Sequence, residues 1–266
     1  MKELINNILL GGLTALVLYG IFAAGQFIYR NHQESQARES GFNRFLSRLP
    51  EIGYQRLPAP LADQEEIRQL LERYYVLRNT RHPILELKAT GAYGTTLDSF
   101  PAYFLTVYQK ISLFGTAPGA GQSSGRSEFQ GTVVAVRMPL RISGRVMVYR
   151  RPQTEDDDEW DWRADASPLG VRSYPLEAGL AADFSEALMV RSTGKAASLS
   201  PAVQGLLLGN KDLFFNAATR RSALVMDEHG WAFVSDILTA ESDLNKVVAL
   251  HRDLTQALKA ADRSIK

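Results

Sequence analysis

An uninterrupted apolar run near the start of the chain constrains it more than any other feature. Ile8 to Tyr29 reads ILLGGLTALVLYGIFAAGQFIY and contains no charged residue. Inside hydrocarbon every backbone amide and carbonyl must be satisfied within the segment, so such a run crosses as a helix. At about 1.5 Å per residue it just spans a bilayer core of roughly 30 Å. Thr14 and Gln26 are its main polar side chains, Tyr29 stands where an interfacial aromatic belongs, and Arg30 stops the run. Residues 1–30 are therefore expected to form a transmembrane anchor, with the lipid bilayer as the first partner. A cleaved signal peptide is the competing reading, with Lys2 as its basic start, Leu9 to Phe22 as its apolar stretch and Ala23-Ala24-Gly25 as its cleavage site. Against it, the run continues through Phe27, Ile28 and Tyr29, which a spanning helix needs and a signal peptide does not.

The flanks of this segment set its expected orientation. Lys2 precedes it, whereas Arg30, Arg38, Arg44 and Arg48 follow it. Basic residues stay on the cytoplasmic side, so the large C-terminal part is expected in the cytoplasm. A periplasmic domain is the alternative. Gly11 with Ala15, and Gly20 with Ala24, have the small-xxx-small spacing that lets helices approach closely in lipid. The simpler reading is that glycine and alanine are common in membrane helices.

The remaining composition excludes several chemistries. The chain has 266 residues, no cysteine and four histidines, and its formal net charge is +1. Without cysteine there is no disulfide, thiolate zinc site, iron–sulfur cluster or cysteine nucleophile. A nucleic-acid binder would carry a basic excess, so no nucleic-acid partner is expected. None of His32, His82, His229 and His251 has H-x-x-H or HExxH spacing with another, which leaves metal catalysis without a foundation. No cofactor is expected.

Residues 31–62 read as a juxtamembrane helix and linker. Phe42, Phe45, Leu46 and Leu49 have helical spacing up to Pro50, and Leu57-Pro-Ala-Pro-Leu61 is an extended spacer. Residues 63–266 read as one soluble domain. Asp63 and Glu66 have capping-box spacing ahead of a helix with an Ile67, Leu70, Leu71, Tyr74, Tyr75 stripe. Strands are expected at Ile84 to Leu87, Tyr103 to Tyr108, Ile111 to Phe114, Phe129 to Val136 and Arg145 to Tyr149. Thr90 to Gly94 reads as a turn, Gly115 to Ser127 as a loop, and Pro139 to Gly144 as a turn joining two strands. Short strands are expected at Val171 to Leu176, Ala187 to Val190 and Leu213 to Ala217. Ser200 caps a helix that has Pro201 at its first position. Ala223 to Met226 and Trp231 to Val234 form a hairpin around Asp227 to Gly230. Leu244, Val247, Val248, His251, Leu254 and Leu258 line one face of a helix from about Glu241 to Ala261. The expected fold class is α+β: an N-terminal transmembrane helix, then one domain with a mostly antiparallel sheet and packing helices.

From Tyr93 onward the order of these features resembles the bacterial membrane-anchored proteins with domain of unknown function 3137. The residues that carry the resemblance are Phe129-Gln-Gly131, Val133 to Pro139, Gly144-Arg145, Phe184, Leu188 to Ser192, Leu199-Ser-Pro201 and Leu206-Leu207. Each is a structural signal and none is catalytic. The resemblance implies a membrane-tethered accessory domain of the bacterial cell membrane and supplies no known chemistry.

The candidate sites are few. Thr154 to Trp162 reads TEDDDEWDW, a run in which Asp156, Asp157 and Asp158 precede Trp160 and Trp162. Runs of like charge are usually solvated loops, yet interleaved tryptophans are typical partner anchors. Calcium is a third reading, but EF-hand ligand spacing is missing. Ser192 and Lys195 have the S-x-x-K spacing of Ser–Lys acyltransferases, without the companion motifs, so a surface turn reads better. The glycines from Gly115 to Gly125 lack dinucleotide spacing. The leading expectation is a single-pass accessory or scaffold protein that binds a protein partner in a membrane complex and is not an enzyme. The alternatives are a membrane-anchored Ser–Lys hydrolase and a periplasmic binding domain.

Overall fold

The structure is a computed structural model. It describes residue 26 and residues 40–58, 64–74, 84–112, 126–153, 169, 172–176, 179–194, 199–214, 222–235 and 241–263. The rest of Ile8 to Tyr29, with Gly11, Ala15, Gly20 and Ala24, lies outside the described residues. Among the described residues no helix is long and apolar enough to cross a membrane.

The apolar, β-branched runs of the sequence pair into one nine-stranded antiparallel sheet. In chain order the strands are β1 (Gln55–Arg56), β2 (Ile84–Leu97), β3 (Phe100–Ser112), β4 (Arg126–Arg137), β5 (Val146–Arg150), β6 (Tyr174–Pro175), β7 (Leu188–Ser192), β8 (Ser222–Asp227) and β9 (Gly230–Ser235). Their spatial order is β1-β2-β3-β4-β9-β8-β5-β7-β6. The helices are α1 over 40–48, α2 (Glu65–Tyr74), α3 (Ala182–Ala187), α4 (Pro201–Gly209) and α5 (Glu241–Arg263). An antiparallel α+β domain is therefore present, as the strand signals and short connections implied.

Both faces of the sheet are covered. β8 and β9 are buried at every position, which is why SALVMD and GWAFVS read as near-continuous apolar runs rather than alternating ones. On one face Phe104, Val134, Val136, Leu224, Met226 and Trp231 pack with Phe45 and Leu49, with Val203 and Leu207 of α4, and with Leu250 and Leu254 of α5. On the other, Leu105, Val133, Val225 and Val234 pack with Ile67, Leu70, Leu71 and Tyr74 of α2. Burying each such side chain contributes about 1.5–3 kcal/mol, an upper estimate because the unfolded chain already hides some apolar area.

Several expectations are corrected. The helix and linker read over 31–62 reach into the fold: Phe42, Phe45, Leu49 and Tyr54 are core residues, and β1 extends the sheet. Thr90 to Gly94 is not a turn but the middle of β2, with a register irregularity between Ala89 and Gly91. The turn lies at Asp98 and Ser99, whose φ angles are 50° and 74°. Two left-handed residues give the two-residue turn whose twist matches paired strands. The two strands expected at Tyr103 to Tyr108 and Ile111 to Phe114 are one: β3 runs unbroken from Phe100 to Ser112. Arg126 and Ser127, read as loop, open β4. At Leu213 the chain forms a 3-10 turn, Lys211–Leu213, instead of a strand.

Pro139 to Gly144 does not join neighbouring strands. The β8–β9 hairpin sits between β4 and β5. After β4 the chain wraps the tip of that hairpin: the Met138 amide donates to the His229 carbonyl (3.1 Å) and the Leu140 amide to the Glu228 carbonyl (3.2 Å). A later segment thus inserts between two earlier strands, which short-range turn signals cannot show.

Candidate functional site

The same wrap builds a polar cleft of about 520 Å³ between α2 and the hairpin tip, lined by Glu66, Gln69, Leu70, Glu72, Arg73, Tyr74, Arg137 and His229. The apolar stripe of α2 faces the sheet, so its flanking polar residues are carried to the rim. At the start of the helix Glu66 accepts from Arg137 Nη1 of β4 at 2.6 Å. At its end Tyr74 Oη donates to Asp227 Oδ1 at 2.9 Å.

Asp227 is the anchor of the cleft. Its side chain is 6% exposed, and Arg73 Nε lies 3.3 Å from Oδ2. Oδ1 also accepts the His229 amide at 2.9 Å, closing the hairpin turn. A carboxylate this deep persists only because a guanidinium, a phenol and an amide satisfy it. The Arg145 side chain ties the back of the cleft, donating to the carbonyls of Arg73 and Leu169. On the outer face of α2, Arg68 bridges Glu65 and Glu72 at 2.6 and 2.7 Å.

The phenols are held neutral. Burial raises the Tyr74 pKa well above the usual phenol range, and the Asp227 charge adds to that. Burial likewise raises Tyr103, which is also hydrogen-bonded to Glu66. Both are hydrogen-bond donors at physiological pH, not bases. The Glu and Arg side chains lining the cleft are paired: Glu66 with Arg137, Glu72 with Arg68, and Arg73 with Asp227. Such an arrangement presents a fixed polar surface.

A second polar group is sealed in the core. The His251 ring on α5 is fully buried. The Ala135 carbonyl, 3.1 Å from Nε2, can only accept, so Nε2 carries the proton. Nδ1 then accepts from the Tyr54 hydroxyl. Tyr54 stacks on the ring with centroids 6.0 Å apart, and Trp231 meets it edge-on at 5.3 Å. Burial pushes the histidine pKa down to about 3 and the Tyr54 pKa up. This histidine is a core residue.

The residues singled out in the sequence fare unevenly. Asp156, Asp157, Asp158, Trp160 and Trp162 lie outside the described residues, as do Lys195, His32 and His82. Ser192 is buried, and its hydroxyl staples a turn: it donates to the Gly194 carbonyl at 2.9 Å and accepts the Gly194 amide at 3.0 Å. That geometry fits the turn reading of the S-x-x-K stretch. Among the described residues no group of three His, Asp or Glu side chains could hold a metal ion. Sequence reading missed Glu66, Arg137, Tyr74 and Asp227 as one site. Only Asp227 carried a local signal, an aspartate two residues before the amide it caps.

No protein family and no curated protein matches this chain. Among solved structures, the crystal structure of the mycobacterial trehalose monomycolate transport factor A is similar over 84% of this chain and 93% of its own, at 11% identity and a TM-score of 0.37. A likeness of that size carries no inference about activity.

Proposed function

We propose that this protein is a single-pass, membrane-anchored accessory or scaffold protein whose α+β domain binds a protein partner without catalysing a reaction. The observation that carries the reading is the cleft at the tip of the β8–β9 hairpin. Its Glu, Asp and Arg charges are held in ion pairs, with the buried Asp227 carboxylate paired to a part-exposed Arg73. A catalytic site needs a group poised to gain or lose a proton, whereas a docking surface needs groups held still. The cleft supports the second character through a half-exposed Glu66–Arg137 rim and a Tyr74 hydroxyl held on Asp227. The uncharged run from Ile8 to Tyr29 supplies the tether, and the arginines after it favour a cytoplasmic domain. The run from Asp156 to Trp162 is a second partner contact, and its carboxylates suit a basic protein surface.

Affinity purification of the full chain from solubilised membranes tests this. Proteins recovered with the natural chain should be lost or strongly reduced with Arg137→Glu, and with Trp160→Ala and Trp162→Ala together, while the melting temperature changes little. An identical set of co-purifying proteins from all three chains would sink the reading. The Ser–Lys hydrolase is the other reading; the committed Ser192 hydroxyl weighs against it.

A further inference from the structure

β2 is a long strand near the rim of the sheet, and among the described residues only part of its outer edge is paired. β1 pairs with it at Tyr93 and Gly94, and the Leu57 amide reaches the Ala92 carbonyl at 2.9 Å. Among the described residues nothing pairs with that edge from Ile84 to Gly91. An open strand edge is a template for another strand, because its outward amides and carbonyls lack protein partners. Proteins usually guard such edges with charge. Here the guards have opposite signs. Glu86 and Lys88 share one face of the strand, 45% and 58% exposed and 3.0 Å apart.

We propose that this edge pairs with the same edge of a second copy, antiparallel, about a two-fold axis at Leu87. In that register Leu87 faces its own counterpart, and Glu86 of each copy faces Lys88 of the other. The four charges alternate in sign around the axis, the self-complementary pattern that a two-fold interface requires. Neighbouring registers lack this. A shift by one residue sets each charge against an uncharged side chain, and a shift by two sets Glu86 against Glu86 or Lys88 against Lys88. The register also clears β1, because the stretch of each copy that β1 covers begins beyond the paired window. Register irregularities flank Glu86–Ala89 on both sides. They keep the window short, so the contact closes as a dimer instead of growing into an extended sheet.

The absence of cysteine makes the register directly readable. In the full chain in membranes, Leu87→Cys treated with a short bismaleimide should give a crosslinked dimer. Glu86→Cys alone and Lys88→Cys alone should crosslink less, and the two co-expressed should crosslink to each other. In the Leu87→Cys background, Lys88→Glu should weaken the dimer roughly tenfold, and adding Glu86→Lys should restore it. That restored double swap would also show that the single variant had not merely misfolded. Crosslinking equal at every position from 84 to 90, no effect of Lys88→Glu, crosslinks only to a different protein, or no dimer at all would each overturn the proposal. None of these outcomes depends on whether the cleft binds a partner.

Discussion

His251 shows how a single side chain can make the fold sensitive to acid. In the native state its pKa is about 3, against an ordinary value of 6.5. Above pH 6.5 the ring is neutral in both folded and unfolded chains, and stability is unaffected. Between pH 6.5 and about 3 the unfolded chain binds a proton that the folded chain refuses, so stability falls with pH by about 1.4 kcal/mol per unit. The melting temperature should therefore drop more steeply over this range in the natural protein than in a His251→Gln variant. Parallel curves for the two chains would contradict it. Tyr74 makes a second point at this scale. Tyr74→Phe keeps the ring in the core and removes only the donor to the buried Asp227, at a cost of about 1–3 kcal/mol by denaturant unfolding. A cost near zero would mean that the Asp227 carboxylate does not depend on Tyr74.

Among the secondary elements, the ends are specified locally and the partners are not. Ser200 caps α4, its hydroxyl accepting the Val203 amide at 3.4 Å, with Pro201 at the first helical position. Ser200→Ala should cost about 1 kcal/mol and Ser200→Gly only a few tenths, because glycine lets water reach the freed amide. Equal costs for both would remove the capping argument. The β8–β9 hairpin was legible from Asp227 to Gly230, but the reason for the glycine was not. Gly230 has a φ of 147°, and a Cβ there would overlap the Val136 carbonyl oxygen of β4. Gly230→Ala should destabilise by about 2 kcal/mol or more, since both backbone strain and a displaced strand oppose it. Retention of the natural melting temperature would show that β4 yields without cost. By contrast, the β2–β3 turn was misplaced. Asp98-Ser99 is a weak left-handed signal, whereas Thr90-Gly-Ala-Tyr-Gly94 looks like a turn until cross-strand pairing overrides it.

For the whole molecule, the decisive question is the tether. Ile8 to Tyr29 should hold the chain in the membrane fraction after alkaline carbonate washing. Leu16→Arg should impair insertion, costing about 2.5–3.5 kcal/mol at the centre of a spanning helix. Full-length natural protein in the soluble fraction would refute the anchor. Protease applied from outside spheroplasts should leave the domain uncut, and its digestion would reverse the orientation.

The sequence by itself determined the features set within a few residues. Apolar spacing marked α2 and α5, the Ser200 cap with Pro201 marked α4, unbroken apolar runs marked β8 and β9, and Asp227 to Gly230 marked their turn. It also determined the exclusions that follow from having no cysteine. Only the tertiary structure decided that β8 and β9 insert between β4 and β5, and this insertion makes the cleft. Glu66 and Arg137 are separated by 71 positions, and Tyr74 and Asp227 by 153. No local pattern encodes such pairs. They meet because α2 must bury its apolar stripe on the sheet, and that burial brings its polar flank to the hairpin tip.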